Sequence, residues 1–286
     1  MRVRLGIAYD GTNFSGWAKQ PGIRTVQGVL EDALAGLFQR VSDSQISLTV
    51  AGRTDAGVHA SGQVAHLDLS DAQLGALCEP QGGHEAHERD AAAALKRRLS
   101  GILRSEGDVV LTGADLVSPD FDARFSANWR RYRYRIADAE TVPWPLRRFD
   151  TVTIPGLLDL SAMQEAAETV LGLRDFATFC KARDEATTIR ELQRFEWQRD
   201  PEGVVVAEIQ ADAFCHSMVR ALVGGCVAAG RARFAPAYLG TLQASATRTG
   251  EFTVMPAHGL TLTEVGYPPP SEWATRSVAI RAKRSL

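Results

Sequence analysis

Hydrophobic and polar residues of the first half of the chain follow strand and helix periods in turn. Apolar residues alternate with polar ones from Val3 to Tyr9, which predicts a half-buried strand. Apolar residues then keep to one helical face from Val26 to Val41, and Thr25 stands at the N-cap position of this predicted helix. Further strands are predicted at 46–50, 63–69 and 109–111, with a helix at 95–103. The first half therefore has the order strand, helix, strand, strand, helix, strand.

The second half repeats this order. Alternation at Tyr132, Tyr134 and Ile136 predicts a strand, and the remaining apolar pattern predicts helices at 160–171 and 216–230, strands at 195–197, 204–209 and 260–265, and a turn at 200–203. Two such units are typical of ferredoxin-like split βαβ folds. We therefore predict an α+β protein whose two antiparallel sheets form a concave surface suited to RNA.

The predicted domain limits follow from this repeat. A first ferredoxin-like domain is expected at 1–117 and a second at 118–270, with the boundary near Ser118 and Pro119. The remainder, 271–286, is a basic tail that either adds RNA affinity or is disordered.

The composition of the 286 residues is that of a globular protein, with 45% hydrophobic and 23% charged residues. No apolar run is long enough to span a membrane, and the chain enters a strand pattern at once, so we expect a cytoplasmic protein without a signal peptide. Four scattered cysteines without a CxxC motif predict reduced thiols and no metal site; they are Cys78, Cys180, Cys215 and Cys226.

Positive charge is concentrated in two segments, although the net charge is only −2. Residues 121–135 contain five arginines and a single acid, Asp122, and residues 276–286 contain four basic residues and no acid. Such segments can bind a polyanion locally in a protein of nearly neutral charge.

The segment 51–60, AGRTDAGVHA, combines a charged pair with flanking glycines directly after a predicted strand. Gly52 and Gly57 allow a ligand to approach closely, while Arg53 supplies a positive charge and Asp55 a carboxylate. The alternative is an ordinary turn in which the aspartate bonds to its own backbone.

Several segments together resemble one known family. They are Tyr9-Asp10-Gly11, Gly16-Trp17, Thr25-Val26-Gln27, the 51–60 loop followed by Gly62-Gln63-Val64, Ala123-Arg124-Phe125-Ser126-Ala127, Arg131-Tyr132-Arg133-Tyr134, Phe214 with His216 and Met218-Val219-Arg220, and Pro256-Ala257 with Gly259-Leu260, Leu262, Val265 and Tyr267. In this order they are similar to tRNA pseudouridine synthases of the pseudouridine(38–40) type, over about residues 3 to 268.

The resemblance implies a role for each of five residues. Asp55 would be the catalytic aspartate, and Tyr132 the active-site tyrosine that stacks on the target base. Arg220 would be the basic residue that pairs with the aspartate and favours its ionised form. Arg53 would fill or guide the vacancy left by a flipped uridine, and Leu260 would line the uracil pocket.

Two arginines are candidate phosphate contacts, Arg124 and Arg131, although arginines on strands also serve as salt-bridge partners. Asp122 departs from the family, which usually has a histidine there, and 79–90 is longer than usual. His84 and His87 within it could mimic a metal site, but a solvated insertion is favoured.

The resemblance implies a cytoplasmic homodimer that isomerises uridines in the anticodon stem-loop of tRNA, without metal or organic cofactor. The carboxylate would attack the sugar or take a proton from it to give a glycal. Two alternatives remain open: a noncatalytic RNA-binding protein on the same sheets, and a hydrolase that releases the base from its N-glycosidic bond.

Overall fold

The computed structural model describes residues 1–41, 46–78, 91–181 and 187–281. The chain divides into two compact units, the first of Met1–Ala127 with Tyr267–Arg281 and the second of Asn128–Gly266. Each unit combines helices with a mainly antiparallel sheet, which confirms the α+β class. The limits expected from the sequence, 1–117 and 118–270, differ from these units at residues 118–127 and from Tyr267 onward.

The first unit contains four strands and four helices among its described residues. The strands are β1 (Arg2–Tyr9), β2 (Thr49–Val50), β3 (His59–Asp68) and β4 (Val109–Val117), and the helices are α1 (Val26–Phe38), α2 (Asp71–Cys78), α3 (Ala91–Leu103) and α7 (Trp273–Arg281). The sheet order is β4–β1–β3–β2, and all three pairings are antiparallel. The 79–90 insertion lies outside the described residues.

The hydrophobic pattern of the first unit explains its core. Val3, Leu5 and Ile7 of β1 are completely buried, as their alternation predicts. Thr25 caps α1, because its hydroxyl accepts a hydrogen bond from the backbone N–H of Gly28 at 3.2 Å. Helix α1 contacts α3, which contacts β4, so the two helices complete this core.

An aromatic cluster ties the C-terminal segment to the first unit. The Phe121 ring lies 4.9 Å from the rings of both Tyr267 and Trp273. The Trp273 indole N–H donates to the backbone oxygen of Pro268 at 3.0 Å. Burial of these rings explains why 118–127 and the segment from Tyr267 belong with the first unit, and this segment ends in helix α7.

The second unit contains six strands and three helices among its described residues. The strands are β5 (Trp129–Ala137), β6 (Val152–Thr153), β7 (Gly172–Asp175), β8 (Ile189–Arg199), β9 (Val205–Ala211) and β10 (Leu260–Gly266), and the helices are α4 (Leu160–Glu168), α5 (Met218–Gly230) and α6 (Ala237–Ala244). The sheet order is β10–β5–β9–β8–β7. The short strand β6 pairs in parallel with the last two residues of β5.

Helix α5 is buried along almost its whole length and depends on small residues for its close packing. A Cβ at Gly224 would collide with the backbone oxygen of Thr253, and one at Gly225 with the side chain of Leu239. The paired glycines therefore let neighbouring segments approach this helix closely.

One expectation about the cysteines is wrong. The structure joins Cys180 and Cys215 in a disulfide, with their Cα atoms 5.6 Å apart, so these two are not reduced thiols. They are 35 residues apart in sequence. A hydrogen bond from the N–H of Lys181 to the backbone oxygen of His216 joins the two segments that carry them. Cys78 and Cys226 take no part in this disulfide. Among the described ranges, no helix has the length and apolar character needed to cross a membrane.

Candidate active site

The loop between β2 and β3 carries the candidate catalytic residue. Directly after β2, the N–H of Ala51 donates a hydrogen bond to the backbone oxygen of Val64 at 2.8 Å. The loop then turns at Gly57, whose φ is +76°. Thr54 is buried, whereas Asp55 is half-buried and Arg53 is exposed. The loop thus buries a hydroxyl between two charged side chains that remain more accessible.

A second segment, residues 14–17, fastens this loop from the side. The N–H of Trp17 donates to the oxygen of Thr54 at 3.1 Å, and the N–H of Gly57 donates to the oxygen of Phe14 at 3.2 Å. Gly16 has φ +91°, and a Cβ there would lie 2.9 Å from that same Thr54 oxygen. Glycine is therefore required for both the backbone conformation and the close approach.

Three buried polar side chains lie beneath the loop. The hydroxyls of Tyr9 and Thr54 are 2.8 Å apart. The side-chain amide of Gln63 donates to the oxygen of Gly52 at 2.8 Å and to the Tyr9 hydroxyl at 3.3 Å. Burial raises the pKa of Tyr9 to about 12, against the lowering effect of its bonds to Thr54 and Gln63. These support roles were missed from the sequence, although a glutamine in a predicted strand was a signal.

His59, at the start of β3, holds the segment beside the loop. Its Nδ1 accepts a hydrogen bond from the N–H of Gly11 at 3.0 Å and lies 3.1 Å from a carboxylate oxygen of Asp10. A Cβ on Gly11 would collide with the backbone of Val58. The imidazole therefore helps to fix the β1 end against the end of the loop.

In the second unit, Tyr132 lies on β5 in a largely apolar setting. It is 7% exposed, and its ring is perpendicular to that of Phe214 at a centroid distance of 5.2 Å. Its neighbours in register are Leu262 on β10 and Ile209 on β9. The sheet thus surrounds this aromatic ring with apolar side chains.

Arg220 and Leu260 lie near the next tyrosine of the same strand. The Arg220 guanidinium donates to the backbone oxygen of Met255 at 2.6 Å. The Tyr134 hydroxyl donates to the adjacent backbone oxygen, that of Pro256, at 2.7 Å. Burial raises the pKa of Tyr134, and the positive charge of Arg220 opposes this rise. Leu260 is in register with Tyr134 and almost fully buried. The fold thus brings Arg220, Leu260 and β5 together.

Acids on neighbouring strands and on the turn between β8 and β9 neutralise arginines of β5. Arg131 contacts Glu264 at 2.8 Å, and its guanidinium also donates to Gln210 at 2.7 Å. Arg133 contacts Glu208 at 2.8 Å and Arg135 contacts Asp200 at 3.0 Å, which completes the pairing of the half-buried and exposed arginines of the strand. The local charge excess of the sequence is therefore largely compensated in the sheet.

Arg124 lies on an exposed turn of the first unit. Its guanidinium is 5.1 Å from the ring of Phe125. The Asp122 carboxylate accepts from the backbone N–H groups of Arg124 at 2.8 Å and of Phe125 at 2.9 Å. The acid that departs from the family pattern thus stabilises the turn that presents this arginine.

The residues that could hold a metal are dispersed. Within 1–41, 46–78, 91–181 and 187–281, no three His, Cys, Asp or Glu side chains form a group that could bind an ion. The two histidines His84 and His87 fall outside these ranges.

The chain is similar to proteins of one family. A family model described as tRNA pseudouridine synthase matches residues 6–82 and 166–268, which include Arg53, Asp55, Arg220 and Leu260. The tRNA pseudouridine synthase A of Leifsonia xyli subsp. xyli is 55% identical, covering 100% of this chain and 98% of its own. The tRNA pseudouridine synthase A of Frankia casuarinae is 50% identical, covering 99% and 96%. A solved Cbf5-Nop10-Gar1 complex aligns over 91% of this chain and 49% of that chain. The TM-score is 0.36 and the sequence identity is 10%.

Proposed function

The chain belongs to the tRNA pseudouridine synthase family, whose reaction isomerises uridine in tRNA, and we propose that it acts on the anticodon stem-loop, at positions 38–40, with Asp55 as its catalytic residue and no cofactor. The reaction breaks the bond between C1′ of the ribose and N1 of uracil, rotates the base and joins C1′ to C5. The C5 hydrogen leaves as a proton, and N1 gains one, so the product is an isomer of the substrate.

The observation that carries the assignment of Asp55 is the construction of its loop. The backbone on either side of the aspartate is fastened by Trp17, Phe14 and Val58, while its side chain keeps partial exposure. A carboxylate held in this way can attack C1′ or remove a sugar proton to form a glycal, and both routes remain open.

The other residues have supporting roles in this proposal. Tyr132 stacks on the flipped uracil, with Leu260 lining the base pocket. Arg220 supplies the positive charge that favours an ionised carboxylate. Arg53 is exposed beside Asp55, where its side chain is available to fill the space that the flipped uridine leaves.

Two arginines are proposed to contact tRNA phosphates. Arg124 is exposed on a turn, where a phosphate can reach its guanidinium. Arg131 already bonds to Glu264 and Gln210, so a phosphate would have to replace one of these partners.

The finer architecture belongs to the same proposal. Strand orders β4–β1–β3–β2 in the first unit and β10–β5–β9–β8 in the second support two ferredoxin-like units whose sheets contribute to an RNA-binding surface. A cytoplasmic homodimer is proposed on the family resemblance, and sedimentation of the purified protein tests the oligomeric state.

The test is tritium release from transcribed tRNA labelled at uridine C5. Wild-type protein is expected to release tritium without free uracil, and Asp55→Ala is expected to release none. Asp115→Asn is the matched control, because Asp115 is an exposed carboxylate of the same unit that pairs with Arg4 at 2.8 Å.

Each outcome decides between the proposal and its alternatives. Free uracil in the mixture would indicate a hydrolase. Absence of release by the wild type, with tRNA binding retained, would indicate a noncatalytic RNA-binding protein. Equal release by the wild type and Asp55→Ala would exclude Asp55 as the catalytic residue.

A further inference from the structure

We propose that Tyr9 and Gln63 are positioning residues, which hold the Asp55 loop in its reactive conformation through a directional hydrogen-bond chain ending at Thr54. The inference rests on the proposed role of Asp55. It assigns to two buried polar side chains a function in the reaction rather than in packing alone.

The direction of the chain follows from the chemistry of its members. The Gln63 amide N–H groups can only donate, and they reach the oxygen of Gly52 and the hydroxyl of Tyr9. Among the described residues, the Tyr9 hydroxyl has no acceptor other than Thr54 Oγ1 at 2.8 Å. We therefore infer that Tyr9 donates its proton to Thr54 Oγ1 while it accepts from Gln63, so both the donor and an acceptor site of its hydroxyl are used.

The amide orientation agrees with this direction. The Gln63 carbonyl oxygen accepts from the backbone N–H of Val64 at 3.2 Å, so its nitrogen faces Gly52 and Tyr9. An amide rotated by half a turn would place its oxygen against the oxygen of Gly52. One glutamine side chain thus connects strand β3 to both the loop and β1.

The anchor points bracket the residues that bear the chemistry. Gly52 precedes Arg53, and Thr54 precedes Asp55. Gln63 is completely buried, Tyr9 is 5% exposed and Thr54 is 7% exposed, so water cannot easily replace a lost partner. A shift of the Asp55 backbone would therefore require these buried bonds to break.

The ring of Tyr9 has a separate role from its hydroxyl. Its centroid lies 6.4 Å from the Phe14 ring and 6.0 Å from that of Trp17. Tyr9→Phe retains these ring contacts and removes the two hydrogen bonds of the hydroxyl, one with Thr54 and one from Gln63. The substitution therefore separates positioning of the loop from packing of the core.

Misplacement of the carboxylate should affect the chemical step more than tRNA binding. Reacting atoms must approach to roughly 3–3.5 Å, and an error of about 1 Å costs about 100-fold in rate. Tyr9→Phe is expected to lower kcat by about 10- to 100-fold and to leave KM for tRNA nearly unchanged. Thr54→Val should have the same effect, and Thr54→Ser, which retains the hydroxyl, should restore most of the rate.

The double variant provides the sharpest measurement. Tyr9→Phe and Thr54→Val each remove the same hydrogen bond, so kcat of the double variant should equal that of the slower single variant. If the two losses multiply, the residues act independently and the proposed chain is wrong. An unchanged kcat in Tyr9→Phe would also overturn it.

Tyr267→Phe is the matched control for loss of a tyrosine hydroxyl bond. Its hydroxyl donates to the backbone oxygen of Ala123 at 2.7 Å in the same unit. It should lower the melting temperature about as much as Tyr9→Phe while kcat stays at the wild-type value. Equal kcat losses in both variants would indicate a general loss of stability and contradict the positioning role.

Asp55→Ala, assayed in parallel, separates this inference from the function on which it rests. Tritium release by Asp55→Ala would remove the catalytic assignment itself. If Asp55→Ala is inactive and Tyr9→Phe has wild-type kcat, only the positioning role fails. If Tyr9→Phe does not fold, the comparison of Thr54→Val with Thr54→Ser decides.

Discussion

The Asp55 loop and strand β5 both contain charged residues that we single out as candidates for function, and their surroundings differ. In the loop, hydrogen bonds from Trp17, Gly57 and Gln63 involve the backbone, and the side chains of Arg53 and Asp55 keep access to solvent. In β5, the sheet bonds satisfy the backbone, and the arginine side chains contact acids on adjacent strands.

The difference shows that a local charge excess is a poor guide to reactivity. The arginines of β5 are numerous, but Arg131 and Arg133 each have a carboxylate within 2.8 Å. Asp55 is a single carboxylate in an irregular segment, held by glycine conformations and buried bonds. Precise placement, rather than the number of charges, distinguishes the site that we assign to catalysis.

The largest expected contrast is between two carboxylates, Asp55 of the loop and Glu264, which pairs with Arg131 of β5. Asp55→Asn should lower kcat by about 10³-fold or more, because it removes the reacting group. Glu264→Gln should change kcat less than about threefold, because Glu264 forms an exposed ion pair with Arg131. Tritium release measures both, and similar losses would invalidate the comparison.

The next effect concerns stability at high pH. The pKa of Tyr9 is raised from 10.0 to about 12 in the folded state. The folded state therefore retains a proton that the unfolded chain loses, so this contribution is fully present below pH 10 and disappears as pH rises toward 12. Over this interval, the free energy of unfolding of the wild type should fall by about 1.4 kcal/mol per pH unit relative to that of Tyr9→Phe. Urea unfolding of both proteins at several pH values tests this. The same dependence of unfolding free energy on pH in both proteins would contradict it.

A smaller contrast is expected between two arginines. Arg53→Ala should lower kcat/KM by about 10-fold, because an exposed residue proposed to fill the flipped-base vacancy is lost. Arg133→Ala should stay within about twofold, because Arg133 is paired with Glu208. A larger effect at Arg133 would show that the strand also contacts the substrate.

The smallest effect is in the salt dependence of tRNA binding. Arg124→Gln should reduce the slope of log affinity against log salt by about 0.7–0.9, the value for one lost phosphate contact. Arg131→Gln should reduce it by less than half as much, because Glu264 already compensates its charge. Filter binding at several salt concentrations tests this. Equal reductions of the slope in the two variants would favour direct phosphate contact by Arg131.

Several elements could be predicted because their signals are local. The alternation of β1, the Thr25 cap of α1 and the turn between β8 and β9 depend on residues close in sequence, and the structure confirms all three. The predicted helices at 26–41 and 160–171 extend too far, and α1 ends at Phe38 and α4 at Glu168. Helix ends depend on caps and tertiary contacts that periodicity does not reveal.

Other elements lacked a periodic signal. Helices α2 and α6 are short and have weak apolar faces, and β6 contains only two residues. Strand β7 begins at Gly172, directly after the predicted helix at 160–171. These elements form because the surrounding core covers them.

The sequence by itself determined the family, the α+β class and the loop that carries Asp55, since motif order and hydrophobic period are encoded by neighbouring residues. Only the tertiary structure decided that Gln63 and Tyr9 support that loop, that Glu208 and Glu264 neutralise the arginines of β5, and that Cys180 meets Cys215. Each of these contacts joins residues distant in sequence, and burial and sheet register set its strength. Neither is a property of any short segment.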